Sequence, residues 1–184
     1  MAMTEEEIQK ANVGEAKKHN STILLEEYTE QWSAWFKVQE EKILKALNQI
    51  SIKVEHVGST SVPGLCAKPI VDIVLEVPDS SNESEYVPQL EQNGFWLKIK
   101  EPEWFEHRMF KGKNIPTNLH VFTAGCSEVQ KMIRFRDHLR NNPVDMELYQ
   151  SKKKELSLKN WEYIQNYADA KTEVVKDIIT RVGS

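Results

Sequence analysis

Residues Glu55 to Asp72 read EHVGSTSVPGLCAKPIVD, and the fold turns on what lies at the two ends of that stretch. Upstream, Ile52, Val54 and His56 alternate with Lys53 and Glu55, the period-two pattern of a short strand. Downstream, Pro69 to Val77 (PIVDIVLEV) is a β-branched run broken only by Asp72 and Glu76, and Pro78 with Asp79-Ser80-Ser81-Asn82 ends it. Between the strands lie Gly58-Ser59-Thr60-Ser61 and Val62-Pro63-Gly64. A strand running into Gly-Ser-Thr-Ser offers backbone N–H groups and hydroxyls in one turn, a cradle for an anion. The plainer reading is a connection in which Gly58 and Gly64 take positive φ. The turn is not a Walker A motif, because five residues separate the glycines and Leu65, not Lys, follows Gly64.

Asp72 sits in the middle of the apolar strand, where an ionised carboxylate is costly unless a cation or several donors meet it. An Asp that only accepts structural hydrogen bonds is the alternative. A Gly-Ser turn with an Asp on the next strand, thirteen residues after Ser59, resembles the core of the nucleotidyltransferase fold. There, Gly-Ser begins a helix and acidic residues on the following strand hold divalent metal.

Working outward, Trp32 to Ile50 reads as an amphipathic helix, and residues 83–93 read as another, stopped by Gly94. Phe95 to Lys100, Glu106 to Lys111 and Leu119 to Thr123 are predicted strands. From Ser127 the pattern changes to three helices, about 127–140, 144–158 and 161–182, with Asn141-Asn142-Pro143 as the first break. Ser127-Glu128-Val129-Gln130 fits a capping box. The expected architecture is α/β (α+β): a mixed sheet with helices and a helical C-terminal cap. Residues 1–21 form a polar, loosely helical lead-in and 22–184 a single domain, with its core at about 22–126 and its cap at about 127–182.

The flanks sharpen the resemblance. HVGSTSVPGLCAKPIVDI at 56–73, LHVF at 119–122 and FRDHLRNNP at 135–143 are similar to the GrpB-like family. Tyr149, KKKEL at 152–156, YADAK at 167–171 and Ile178-Ile179 extend the match, as does LLEEYTEQWSAWF at 24–36. The similarity covers about residues 22–182. It implies the nucleotidyltransferase fold, while function follows only by analogy. Some members of that family are fused to a dephospho-coenzyme A kinase.

The analogy implies a metal site, and the sequence completes it only in part. Active nucleotidyltransferases carry Asp-x-Asp or Asp-x-Glu on this strand, because alternate residues share a face. Here the partner position is Val74, and Glu76 lies roughly 13 Å along the strand from Asp72 at about 3.3 Å per residue. His56, before the turn, and His120, on the LHVF strand where the fold commonly places its third acidic ligand, are the candidate substitutes. Asp72, His56 and His120 are therefore the expected metal ligands, with Asp72 and His120 catalytic and magnesium or manganese favoured over zinc. Each His read alone is a strand histidine bonded to backbone.

Gly58, Ser59 and Thr60 would hold phosphates, with Lys68 at the mouth of the strand and Arg136 in FRDHLR offsetting negative charge. Lys68 also reads as a solvated loop lysine, and Arg136-Asp137 with Arg140 as surface ion pairs. Lys152-Lys153-Lys154 reads as a solvated face, and Tyr149, Tyr163 and Tyr167 as packing. Cys66 reads as packing or an incidental thiol.

Composition narrows the partners. With 40% apolar and 28% charged residues the chain is globular rather than disordered. The formal charge is -4, and only residues 127–184, with 11 basic and 9 acidic side chains, are net positive. The sheet half is acidic, so long nucleic acid is not expected as a partner. The first twenty residues have no apolar run, and no stretch approaches the roughly 20 residues of a membrane span. Two cysteines without a CxxC suit a reduced, cytoplasmic protein, in which the sequons at Asn20 and Asn82 carry no meaning. Oligomeric state cannot be read.

Two functions compete: metal-assisted transfer of a nucleotidyl or phosphoryl group to a small molecule, or a non-catalytic module that binds a nucleotide or other small ligand on the same fold. The absent carboxylate at position 74 supports the second. A structure with Asp72 sealed in the core would exclude the first.

Overall fold

The computed structural model describes residues 2–182. Five strands form one mixed sheet: β1 (Lys53–Val57), β2 (Val71–Val77), β3 (Phe95–Glu101), β4 (His107–Gly112) and β5 (Thr117–Thr123), in the order β1-β2-β5-β4-β3. The β2–β5 pair is parallel and the other pairs are antiparallel. β2, the most apolar run, lies inside the sheet, as its near-continuous hydrophobicity requires.

The two faces are unlike. One carries Val71, Ile73, Leu75 and Val77 of β2, Leu119 and Val121 of β5, Phe110 and Phe95, all buried. Helix α2 (Gln31–Ala46), after the short N-terminal α1 (Glu5–Ala11), presses Ile43 and the following Leu47 onto that face. Tyr86 and Leu90, at and within α3 (Val87–Gln92), complete the layer. A short 3-10 turn at Glu83–Glu85 occupies the start of the expected helix, and Pro88 sits where α3 begins.

The other face takes the C-terminal helices α4 (Ser127–Asn141), α5 (Pro143–Ser157), α6 (Ile164–Ala170) and α7 (Thr172–Val182). Val129 of α4 meets Val57, Val74 and Phe122. Leu139, Tyr149 and Ile178 from three of these helices close on Val62 and Leu65 of the turn region. The last predicted helix is two, parted at Lys171. The expected capping box does not form: α4 begins at Ser127 with Cys126 as N-cap, so the serine lies one place too far along to cap. No helix of the described residues is long and apolar enough to cross a membrane.

The polar opening segment is held in place. α1 has a capping box between Thr4 and Glu7, buries Ile8 against Tyr163 and Ala16, and accepts through Glu5 from Tyr163 Oη at 2.6 Å. The Met3 N–H donates to Asp169 of α6 at 2.7 Å, across 166 residues. Its polar residues form these long-range contacts with the cap, a pairing that local composition does not disclose.

Candidate functional site

Strand alternation decides which residues meet. Across β1–β2 the partners are Val57 with Asp72 and His56 with Ile73, so His56 projects from the face opposite Asp72. Its ring stacks on Phe36 of α2 at 4.8 Å, and Nε2 pairs with Thr60 Oγ1 at 3.0 Å. Burial pushes the His56 pKa down to about 4. His56 therefore does not join Asp72 and His120. Thr60, 2% exposed, is turned inward by the same contact and presents nothing to a phosphate. Arg136 is also elsewhere: its guanidinium donates to Glu55 and to the His56 carbonyl, each at 2.8 Å, and to Asp137. His56 and Arg136 instead line a recess with Phe36, Glu55 and Arg140.

Asp72, Asn118 and His120 do converge. The parallel register places Asp72 beside Asn118 and Val74 beside His120. Asn118 Nδ2 donates to Asp72 Oδ1 at 2.8 Å, and His120 Nε2 lies 3.8 Å from the same oxygen. The Asp72 and His120 side chains are 30% and 23% exposed, so the carboxylate is partly open to solvent rather than sealed. Burial alone would raise the Asp72 pKa, but His120, Asn118 and Lys68 hold it below the usual carboxylate range. Gly58 crosses directly above, with φ +69; a Cβ there would stand 2.6 Å from Asp72 Oδ2. Glycine is required twice over, by backbone and by contact. Ser59, half-buried, faces the Tyr149 hydroxyl, whose pKa burial pushes up to about 12 against the pull of Ser59.

Four lysines lie near enough to feel the charge of this carboxylate. Lys68, where the sequence placed it, and Lys171 share the ring of Tyr167, 5.7 and 4.4 Å from its centroid. Lys153 stands 5.2 Å over Tyr149 and donates to the Cys66 carbonyl. Lys111 donates to Asn118 Oδ1 at 2.5 Å. Burial lowers the pKa of all four, to about 7 for Lys153 and about 8 for Lys171, while Asp72 pulls each of them back up. Among the described residues none of the four has a carboxylate oxygen within 4.0 Å. Lys153, 2% exposed, is not part of a solvated face. It follows Tyr149 by four and precedes Leu156 by three, the buried side of α5.

A second group, absent from the sequence reading, continues from His120. His107 Nε2 pairs with His120 Nδ1 at 3.0 Å, and His107 Nδ1 with Glu101 Oε2 at 2.7 Å. The β3–β4 register sets Glu101 beside His107, and β4 lies against β5. The only local signal was that Glu101 and His107 flank the gap between two predicted strands.

The donor set does not fit the divalent pair of a nucleotidyltransferase. Val74 is apolar and 1% exposed, Glu76 accepts from the Gly125 N–H at 2.8 Å, and His56 faces away. Among the described residues no three or more His, Cys, Asp or Glu side chains are grouped to hold a metal ion.

Comparison with known proteins places these residues in context. A family model described as GrpB protein matches residues 22–181. A UPF0157 protein of Halalkalibacterium halodurans is 50% identical over 98% of this chain and 93% of its own. Another from Streptomyces coelicolor is 38% identical, over 88% and 85%. The crystal structure of conserved protein GrpB from Enterococcus faecalis superposes with a TM-score of 0.74 at 25% identity, covering 88% of this chain and all of that one.

Proposed function

The chain belongs to the GrpB family, and from that premise we propose that it binds a small phosphorylated ligand of the nucleotide class in the cleft beside Asp72. One observation carries the reading: four lysines gather around a single carboxylate that cannot neutralise them. Burial strips protons from all four, and repulsion by neighbouring lysines adds to it for Lys68, Lys111 and Lys153. An anion entering beside them offsets that cost and restores the protons, so the cluster is poised for a polyanion. Lys68, Lys171 and Ser59 stand at its surface, and Lys153 beneath supplies field rather than contact.

A second reading, transfer of a nucleotidyl or phosphoryl group, is favoured by the accessibility of Asp72. Because the residues do not fit the divalent pair, no step is derived through one.

A thermal-shift series with nucleoside triphosphates and pyrophosphate tests the first reading. Ligand at a hundred times its dissociation constant stabilises by about 2.7 kcal/mol, a shift of several degrees. Wild type should show it and Lys171→Ala should lose most of it. No shift with any phosphate in the wild type would dismiss the site.

A further inference from the structure

The chain Glu101–His107–His120–Asp72 has a carboxylate at each end and two imidazoles between them, and that fixes where its hydrogens lie. An ionised carboxylate only accepts, and a neutral imidazole has one N–H donor and one bare nitrogen. Glu101 stands 2.7 Å from His107 Nδ1, so that nitrogen carries the hydrogen. His107 Nε2 is then bare and must receive a hydrogen from His120 Nδ1, 3.0 Å away. With both rings neutral, His120 Nε2 is left bare in turn, facing Asp72 Oδ1 at 3.8 Å, beyond hydrogen-bond reach; it is a protonated His120 that would hold the Asp72 carboxyl low.

The opposite order would set the bare His107 Nδ1 against the Glu101 carboxylate at 2.7 Å, two lone pairs in contact inside the protein. The observed spacings of 2.7, 3.0 and 3.8 Å put the unfilled junction at the His120–Asp72 end, where the side chains are 23% and 30% exposed. His107 has no freedom to turn: it is 3% exposed, stacked on Phe122 at 4.7 Å and met edge-on by Trp104 at 5.1 Å. Other charges near the pair are Arg108, next along β4, and Asp72 on β2. Burial, opposed by Glu101, pushes His107 down to about 4, in keeping with a neutral ring.

We propose that the ligand of this cleft carries, besides its phosphate, a neutral hydroxyl or amino group that donates to His120 Nε2 beside Asp72 Oδ1, with Glu101 and His107 as the positioning residues that keep that nitrogen bare. The proposal rests on the phosphorylated-ligand reading above. An amino nitrogen about 2.8 Å from both acceptors has a hydrogen for each, whereas a hydroxyl has one and donates to His120 Nε2 alone. A charged ammonium is disfavoured there by the four lysines.

Two measurements on the full chain test this. Nitrogen-15 spectra of labelled histidine report the ring tautomers directly. His120 should be hydrogen-bearing at Nδ1 and bare at Nε2; a hydrogen at Nε2, alone or with Nδ1, overturns the proposal. Titration with a hydroxyalkyl phosphate, an amide-bearing alkyl phosphate and a plain alkyl phosphate of equal length then reads the preference. On wild type at least one donor-bearing ester should bind about tenfold more tightly than the plain one, and which of the two does so identifies the group. In Glu101→Leu the preference should vanish, with His120 tautomers mixed and the plain ester still bound. Equal binding of all three to wild type overturns this inference while leaving the anion site standing. Failure of every phosphate to bind removes the anion site and this inference with it.

Discussion

The two faces of the sheet are made from the same strands and do opposite work. Under α2 and α3, positions 71, 73, 75 and 77 of β2 are Val, Ile, Leu and Val, and their neighbours on β5 and β4 are equally apolar. One residue over, positions 72, 74 and 76 are Asp, Val and Glu, beside Asn118 and His120 and near His107 and Lys111. The first face gains stability by excluding water. The second spends some of it on charges that a fully packed core would not tolerate. A two-residue period in one strand is enough to separate them.

That contrast can be broken most sharply from the apolar side. Ile73→Ala opens a cavity under α2 and should cost about 2–5 kcal/mol in urea unfolding. An effect below 1 kcal/mol would mean the helix layer is not the stabilising one. Gly58→Ala acts on the polar side: its Cβ meets Asp72 and its φ of +69 is disfavoured. It should cost about 1–3 kcal/mol and weaken pyrophosphate binding, measured in the same samples.

Titration sharpens the polar face further. Lys153 and Lys171 have folded pKa values of about 7 and about 8, below those of an unfolded lysine. The native state therefore holds fewer protons than the unfolded chain between those values and about 10.4, and stability should rise with pH across that window. Anion affinity must move the other way, falling roughly tenfold or more from pH 7 to pH 9 by calorimetry. Affinity flat in pH would separate the lysines from the ligand. At the small end, Lys152→Ala removes an exposed pair with Glu155 and should change stability by no more than about 0.5 kcal/mol.

Much of the architecture was legible because it is periodic or punctuated. The PIVDIVLEV run, the Gly58 turn and the change to helices at Ser127 declared themselves. Asp72, Lys68 and His120 stood out for the same reason: they are polar residues placed where the pattern or the family motif made them conspicuous. His56 was misplaced by adjacency. It is next to the turn in sequence, but Val57 is the residue across from Asp72. Lys153 was hidden in a run of three lysines, although its spacing from Tyr149 could have marked it as inward. Glu101 and His107 could not be found without the strand order, because β5 reaches β2 on one side and β4 on the other only after folding.

The Met3–Asp169 hydrogen bond, with Tyr163 and Glu5 beside it, ties the first helix to the sixth across a loop of 166 residues. Closing a chain of that length costs entropy, which the already folded sheet and cap would lower by bringing the two ends near. The opening segment is thus a clasp, holding the rest through few buried residues, and the part expected to open first. Amide hydrogens of residues 5–11 should exchange well before those of β2, and a protease should reach the N-terminal strap while the cleft remains intact.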